Sequence, residues 1–221
     1  MNPTASETAK VMENTYRALN IAFIDEWSKF AEITNIDLFE IISAIKVRPT
    51  HSNIMNPGLG VGGYCLTKDP LMGMISLDQI FKKKSDFPLS KLAVKINKEM
   101  PTNTLKLVIN NIAKDKNRVL VLGTTYREDI GDNRFSASEQ LIEMLINKNL
   151  RVDCFDPMIK YSSCKLVNVL DNLPSSTNYS VIVLAVGHKY IKEIDYKYWL
   201  KDFSGTLIDS NKILNYLELE R

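Results

Sequence analysis

The sequence predicts an α/β protein: a helical first half, followed by a parallel sheet with helices on both faces. Residues 7–32 carry apolar side chains at helical spacing. After residue 117, short runs of β-branched residues alternate with helical stretches, a pattern typical of parallel sheets. The 221 residues are enough for two cores. We therefore predict a helical domain over residues 1–115, including a connecting helix, and a sheet domain over residues 116–221.

The helices of the first half follow from apolar spacing and from residues that begin or break helices. A proline favours the first turn of a helix and disrupts a helix interior. The predicted helices are residues 7–32 with Ser6 as N-cap, residues 37–45 with Asn35 or Asp37 as cap, residues 70–80 starting at Pro70, and residues 89–112 broken or kinked at Pro101.

The second half alternates predicted strands with helices and loops. The strands are residues 118–123, 151–157, 181–186 and 206–209; a helix covers residues 136–149 and a loop covers residues 172–179. The loop after the first strand contains only one glycine, Gly123. It therefore lacks the glycine-rich turn that binds the pyrophosphate of a dinucleotide.

Composition excludes several classes of function. A net charge of +2 gives no reason to expect nucleic acid or a membrane surface as partner, and no apolar run has the length of a membrane span. The cysteines and histidines have no metal-ligand spacing, so no metal is expected. Free thiols indicate a reducing cytoplasm. The residues concerned are Cys65, Cys154, Cys164, His51 and His188.

The stretch from residue 56 to residue 70 carries the most chemical information. Four of the six residues at positions 58–63 are glycines, which allow a backbone to approach a ligand closely. Cys65 follows shortly after, with Lys68 and Asp69 three and four residues further on. A thiolate is a strong nucleophile, a cation lowers the pKa of a thiol, and a carboxylate can handle the proton of water. This combination suits the formation and hydrolysis of a thioester.

Two plainer interpretations of these residues stay open. Gly58, Gly60 and Gly63 match the dinucleotide fingerprint G-x-G-x-x-G, but no buried strand precedes them and Pro70 interrupts any helix after them. A simple glycine turn beside an ordinary cysteine is the other interpretation.

Lys10 and Asn14 are four residues apart on the first helix, so their side chains are predicted to point the same way. By themselves, such a lysine and asparagine are predicted to be exposed to solvent.

Taken together, the motifs resemble the UDP-glucose/GDP-mannose dehydrogenase family. The resemblance rests on residues 13–17 and 20–22, on the glycine stretch with Cys65, and on residues 125–136, and it covers nearly the whole chain. Details around Val61 and Tyr64 are most similar to the branch that acts on UDP-N-acetylhexosamines, whereas Lys68 is closer to the UDP-glucose branch. The resemblance implies a central helical domain followed by a Rossmann-like domain that binds the UDP-sugar.

The resemblance also implies roles for individual residues. Cys65 would be the nucleophile of a two-step oxidation of the sugar C6 alcohol, with two NAD molecules used per sugar. Lys10 and Asn14 would stabilise the developing oxyanion, Asp69 would handle the proton of water, and Lys68 would support the thiolate or bind NAD. Substrate contacts are implied for Gly58, Gly60, Gly62, Gly63, Tyr64, Arg127 and Arg134. Asn211 departs from the family, which usually has a basic residue at that position.

One domain of the family is not expected in this chain. Family members begin with an NAD-binding domain, and nothing before Lys10 could form one, so we expect this chain by itself to be inactive. The alternative function is a catalytically inactive truncated paralogue that binds a nucleotide sugar or only dimerises. Apolar residues on more than one face of the first helix, including Ile21, Ile24 and Trp27, predict a homodimer through the helical half, as the resemblance also implies.

Overall fold

The computed structural model describes residues 2–113 and 117–214, which form two compact units. The first unit holds residues 2–58 and 64–99, and the second holds residues 59–63, 100–113 and 117–214. This division differs from the predicted boundary at residues 115 and 116. Leu59, Leu105 and Val108 are buried in a core of the sheet unit. For this reason part of the glycine stretch and the second half of the connecting helix belong to the sheet unit.

The first helix, α1, spans Pro3–Thr34 and starts earlier than predicted. Its N-cap is Asn2, not Ser6, because the Asn2 side chain accepts a hydrogen bond from the Ala5 N–H at 2.8 Å and Pro3 suits the first turn. The helix ends at Asn35, which adopts the left-handed conformation with φ of 54°.

Three shorter helices complete the first unit. The Asp37 carboxylate caps α2 by accepting the Phe39 N–H at 2.8 Å, so Asp37 and not Asn35 is the N-cap. The predicted helix at residues 70–80 begins as a 3₁₀ turn, Asp69–Leu71, and continues as α3. The bounds are α2 Leu38–Lys46, α3 Met72–Gln79 and α4 Pro88–Glu99.

The second unit is a five-stranded parallel sheet with the strand order β3-β2-β1-β4-β5, which confirms the predicted α/β class. Val119 of the central strand pairs with Val152 on one side and Val181 on the other. The elements are α5 Pro101–Asn111, β1 Arg118–Leu122, α6 Ala137–Asn147, β2 Arg151–Phe155, β3 Asn168–Leu170, β4 Val181–Leu184, α7 Lys189–Lys192, α8 Tyr196–Trp199 and β5 Thr206–Asp209.

The sequence analysis missed β3, α7 and α8. These elements have three or four residues each, too few for an apolar period to be recognised. The break at Pro101 is observed, since α4 ends at Glu99 and α5 starts at the proline.

The central strand is buried on both faces. Val119 and Val121 pack in the core that includes α5 and α6, while Leu120 and Leu122 pack in the core that includes α7 and α8. Because β2, β1 and β4 are adjacent parallel strands, the loops that follow them lie at the same edge of the sheet. This is the usual ligand-binding edge of parallel α/β folds. Within residues 2–113 and 117–214, no helix is long and apolar enough to cross a bilayer.

Candidate functional site

Asp69 is the centre of a polar cluster in the first unit. Its Oδ2 accepts a hydrogen bond from Asn14 Nδ2 at 2.7 Å, and its Oδ1 pairs with Lys68 Nζ at 3.0 Å. Asn14 is only 2% exposed, on the buried side of α1. The backbone N–H groups of Lys68 and Asp69 both donate to the Cys65 carbonyl, at 3.1 and 2.8 Å. This turn places the cysteine, the lysine and the carboxylate on one short segment.

Lys68 is held between two partners. Its ammonium lies 4.6 Å from the centroid of the Tyr64 ring, and the hydrogen bond to Asp69 holds the pKa of Lys68 above its usual value. The side chain is therefore a stable cation three residues after Cys65.

Lys10 and Asn14 lie in different surroundings, although their spacing predicted that they point the same way. Its side chain is 62% exposed and pairs with Glu13 at 3.1 Å. One turn separates the two residues, but Asn14 faces the interior of the unit and Lys10 faces solvent.

The three cysteines differ sharply in their surroundings. Cys65 is exposed, Cys164 is half-buried, and Cys154 is buried in β2. Burial, reinforced by the carboxylate of Glu139, raises the pKa of Cys154 to about 12. Cys65 thus has the most accessible thiol of the three.

We expect iodoacetamide at pH 8 to label Cys65 at least about a hundredfold faster than Cys154, because alkylation requires an accessible thiolate. With a pKa of about 12, only about one Cys154 thiol in ten thousand is ionised at that pH. Peptide mass spectrometry over a time course measures both rates, and labelling in urea is the control in which the difference should disappear. Equal labelling rates in the folded chain would contradict the assignment of Cys65 as the reactive thiol.

The second unit contains a pocket of about 230 Å³ at the carboxyl edge of the sheet. Leu59 and Gly60 form one wall, and the loop after β1 forms another. The start of α6 forms a third wall, where the Ser136 hydroxyl accepts the Ser138 N–H at 3.1 Å and caps the helix. A helix N-terminus at the carboxyl edge of a parallel sheet favours an anionic ligand.

The glycine loop, residues 58–63, is packed against the loop after β1. A Cβ on Gly62 would lie 2.9 Å from Tyr126 Cβ and closer still to the Phe135 carbonyl oxygen. Gly63 adopts φ of +78°, and its N–H donates to the Arg134 carbonyl at 3.1 Å. These two glycines are therefore needed for close backbone packing within the second unit.

Asn211 anchors the other end of this loop. Its Nδ2 donates to the Ala185 carbonyl at 2.6 Å, and its Oδ1 accepts the Leu59 N–H at 3.3 Å. The amide thus joins the glycine loop to the end of β4. Asn211 therefore has a structural role within the second unit.

The two predicted substrate arginines lie in different surroundings. Arg127 lines the pocket, and its guanidinium pairs with no carboxylate of residues 2–113 and 117–214. Arg134 is outside the pocket lining and pairs with Asp132 at 2.6 Å, which raises the pKa of Arg134. Of the two, only Arg127 offers the pocket an uncompensated positive charge.

The predicted site residues are divided between the units. Lys10, Asn14, Gly58, Tyr64, Cys65, Lys68 and Asp69 belong to the first unit, whereas Gly60, Gly62, Gly63, Arg127 and Arg134 belong to the second. The part of the chain that the structure describes contains no group of three His, Cys, Asp or Glu side chains suited to a metal ion.

Sequence reasoning missed a buried polar pair beside the pocket. His188 and Asp156 are 0% and 1% exposed, and His188 Nε2 lies 3.1 Å from Asp156 Oδ2. Both residues come shortly after strands that flank β1. The rule that polar residues after adjacent parallel strands meet at one edge would have singled them out.

Comparison with known proteins identifies the family to which the chain belongs. Residues 4–99 match the central domain of the UDP-glucose/GDP-mannose dehydrogenase family, and residues 120–215 match the UDP binding domain of the same family. A UDP-N-acetyl-D-mannosamine dehydrogenase of Methanocaldococcus jannaschii is 32% identical over 217 residues, which cover 95% of this chain and 48% of the relative.

Solved structures agree with this match. An NDP-N-acetyl-D-galactosaminuronic acid dehydrogenase from Methanosarcina mazei superposes with a TM-score of 0.86 at 26% identity, covering 100% of this chain and 49% of that one. A UDP-D-ManNAc dehydrogenase from Pyrococcus horikoshii gives a TM-score of 0.78 at 29% identity, covering 97% and 50%. The chain spans about half the length of the relatives that it matches.

Proposed function

Because this chain belongs to the UDP-glucose/GDP-mannose dehydrogenase family, we propose that it provides the substrate-binding and thioester-forming part of a nucleotide-sugar 6-dehydrogenase. The substrate would be a UDP-hexose, and the relatives' names favour a UDP-N-acetylhexosamine. The observation that carries the proposal is the pocket beside α6, with Arg127 at its wall. A nucleoside diphosphate fits a helix N-terminus and an unpaired guanidinium.

The chemistry proposed for the first unit centres on Cys65. Its thiolate adds to the C6 aldehyde of the oxidised sugar, forming a C–S bond and a thiohemiacetal. Loss of a hydride from the thiohemiacetal carbon, to an acceptor held by another domain, would give a thioester, and water would then break the C–S bond to release the uronic acid and the free thiol. Asn14 would donate a hydrogen bond to the developing oxyanion, and Asp69 would take the proton of the attacking water. Lys10 would add charge only after leaving Glu13, with which its exposed side chain pairs at 3.1 Å.

NAD would accept the hydrides in such a reaction, but the described residues do not fit this cofactor. Gly62 and Gly63 are packed against Tyr126 and Phe135, and no strand precedes them. After β1, a Cβ on Gly123 would collide with Val186, so that turn is closed against its neighbour. The NAD site therefore belongs to a separate NAD-binding domain in this proposal, and the predicted cytoplasmic location belongs to the same proposal.

We expect the chain to bind UDP and to lose about tenfold or more in affinity on Arg127→Ala, because a charge-assisted hydrogen bond is worth about 1.5–3 kcal/mol. Isothermal calorimetry with UDP, GDP, UDP-N-acetylhexosamines and GDP-mannose measures the ranking. Arg151→Ala is the matched control, since Arg151 is an exposed arginine at the opposite end of β2.

Several results would contradict the proposal. Absence of UDP binding, or an equal loss on Arg151→Ala, would reject the pocket as the nucleotide site. Preferential binding of GDP-mannose would reject the UDP-sugar. Reduction of NAD by this chain alone with a UDP-sugar would reject the requirement for a separate NAD-binding domain.

We also propose that the first unit forms a homodimer. Phe23, Trp27 and Phe30 are about half-exposed on α1 and stack edge to face, with centroid distances of 6.3 and 5.5 Å. They line an apolar groove of about 310 Å³ with residues of α2. An apolar surface of this kind on a long helix suits a two-fold interface with a second copy.

We expect light scattering to give a dimer mass for the chain and a monomer mass for Trp27→Glu, because a buried unpaired carboxylate opposes association. Tyr198→Glu is the control, since Tyr198 is 68% exposed on α8 in the second unit. A monomer mass for the unaltered chain at high concentration would contradict the dimer.

A further inference from the structure

The buried His188 has a defined tautomer. Its Nδ1 accepts a hydrogen bond from the Asp129 backbone N–H at 2.9 Å. A backbone N–H can only donate, so Nδ1 must carry a lone pair, and the neutral imidazole then has its proton on Nε2. The ring is 0% exposed, and this arrangement uses both of its nitrogens inside the protein.

The Nε2 proton of His188 points toward two acceptors. One is the Thr125 hydroxyl oxygen at 2.9 Å and the other is Asp156 Oδ2 at 3.1 Å. The Thr125 hydroxyl in turn donates to the Arg127 carbonyl at 3.0 Å. The hydrogen bonds thus run in one direction, from the Asp129 N–H through His188 and Thr125 to Arg127.

Asp156 fixes the orientation of this chain of hydrogen bonds. Its Oδ2 also accepts the backbone N–H groups of Thr124 and Thr125, at 2.6 and 3.1 Å. On the other side of the ring, the Asp129 carboxylate lies 3.7 Å from Nδ1 and accepts the Lys189 N–H at 2.9 Å. The imidazole is therefore held from both sides and cannot rotate without losing hydrogen bonds.

The segment that these contacts hold is residues 125–129, which forms neither helix nor strand. It carries Arg127 along the wall of the pocket, with the guanidinium exposed. A loop that lacks the regular backbone hydrogen bonds of a helix or a strand needs other contacts to keep a binding side chain in place. Thr125 supplies such a contact to the Arg127 carbonyl, and His188 supplies one to the Asp129 N–H two residues further on.

We propose that His188 is a positioning residue which, through the Thr125 hydroxyl, holds Arg127 ready for the diphosphate of the ligand. The proposal rests on the proposed function, because it takes the pocket beside α6 as the nucleotide site. His188 does not line the pocket and would contribute to affinity through Arg127. Thr125 lines the pocket but is 0% exposed, and its hydroxyl would act through the hydrogen bond to the Arg127 carbonyl. Their contribution should therefore depend on whether Arg127 is present.

A double-mutant cycle on the full chain tests this dependence. Thr125→Val removes the hydroxyl and nearly conserves the volume, and Thr125→Ser keeps the hydroxyl as the matched control. We expect Thr125→Val to weaken UDP binding about fivefold to tenfold, and Thr125→Ser to change it less than about twofold. In the Arg127→Ala background, Thr125→Val should change UDP affinity less than about twofold.

A second measurement does not depend on ligand. The ¹⁵N shifts of His188 should show a protonated Nε2 and an unprotonated Nδ1, and amide exchange at Asp129 should accelerate about tenfold in His188→Gln, which loses the Nδ1 acceptor. If the unaltered chain bound no UDP, the proposed function would fail, while these two readouts would still decide whether His188 holds the loop.

Three results would overturn the positioning role. One is an equal loss of UDP affinity on Thr125→Val in both backgrounds, which would indicate a general structural effect. Another is a proton on Nδ1 of His188. The third is unchanged exchange at Asp129 in His188→Gln.

Discussion

Replacing Gly62 by alanine should destabilise the second unit by about 2–4 kcal/mol, because the new methyl group has no room. Its Cβ would overlap the Phe135 carbonyl oxygen and lie 2.9 Å from Tyr126 Cβ. The Phe135 oxygen belongs to the backbone and cannot rotate away like a side chain. The overlap can therefore be removed only if the glycine loop moves away from the rest of the second unit. Leu59 of the same loop is 2% exposed in the core and would be drawn out with it.

Urea unfolding followed by the fluorescence of Trp199 measures this effect. The chain has two tryptophans, and in a Trp27→Phe background the signal comes from the second unit alone. Gly131→Ala is the control, because its Cβ would meet its nearest neighbours at 3.5 and 3.6 Å, which is ordinary contact. If Gly62→Ala and Gly131→Ala unfolded at the same urea concentration, the close packing of the glycine loop would be refuted.

Replacing Asp156 by asparagine should lower the stability of the second unit by about 2–4 kcal/mol at pH 7. Burial pushes the pKa of Asp156 upward, but hydrogen bonds from His188 and from the Thr124 N–H outweigh it and hold the pKa at about 2. The carboxylate accepts the Met158 N–H through its other oxygen, at 2.8 Å. An amide offers an N–H₂ group where one of these acceptors is needed.

The same carboxylate predicts a pH dependence. The folded pKa of about 2 lies below the value of about 3.9 for an unfolded aspartate. The stabilisation is therefore fully present above pH 4 and is lost as the pH falls through 2. It amounts to about 2–3 kcal/mol, and the difference between Asp156→Asn and the unaltered chain should shrink by about that amount over this window.

Trp199 fluorescence in urea at pH 7, 4.5 and 2 measures both effects in the Trp27→Phe background. Asp202→Asn is the control, because Asp202 is an exposed aspartate of the same unit, and it should change stability by less than about 0.5 kcal/mol. If the stability difference between Asp156→Asn and the unaltered chain were the same at all three pH values, the pKa of Asp156 would be no lower in the folded chain than in the unfolded chain.

The sequence by itself determined the main elements of this protein. Apolar periods of 3.6 residues and β-branched runs are local properties, and they predicted α1, α2, α6 and four of the five strands. The order of three motifs was enough to indicate the family, which the two domain matches confirm. The candidate nucleophile Cys65 was evident together with Lys68 and Asp69, because the three residues are neighbours in the chain.

Only the tertiary structure decided which distant residues meet. It assigned residues 59–63 to the sheet unit, because Leu59 is buried in its core and Gly62 packs on the Phe135 backbone. It separated Arg127, at the pocket, from Arg134, which pairs with Asp132. It also joined Asp156 and His188, 32 residues apart, into one buried pair. Such contacts depend on strand order and on packing between remote segments, and neither leaves a local period in the sequence.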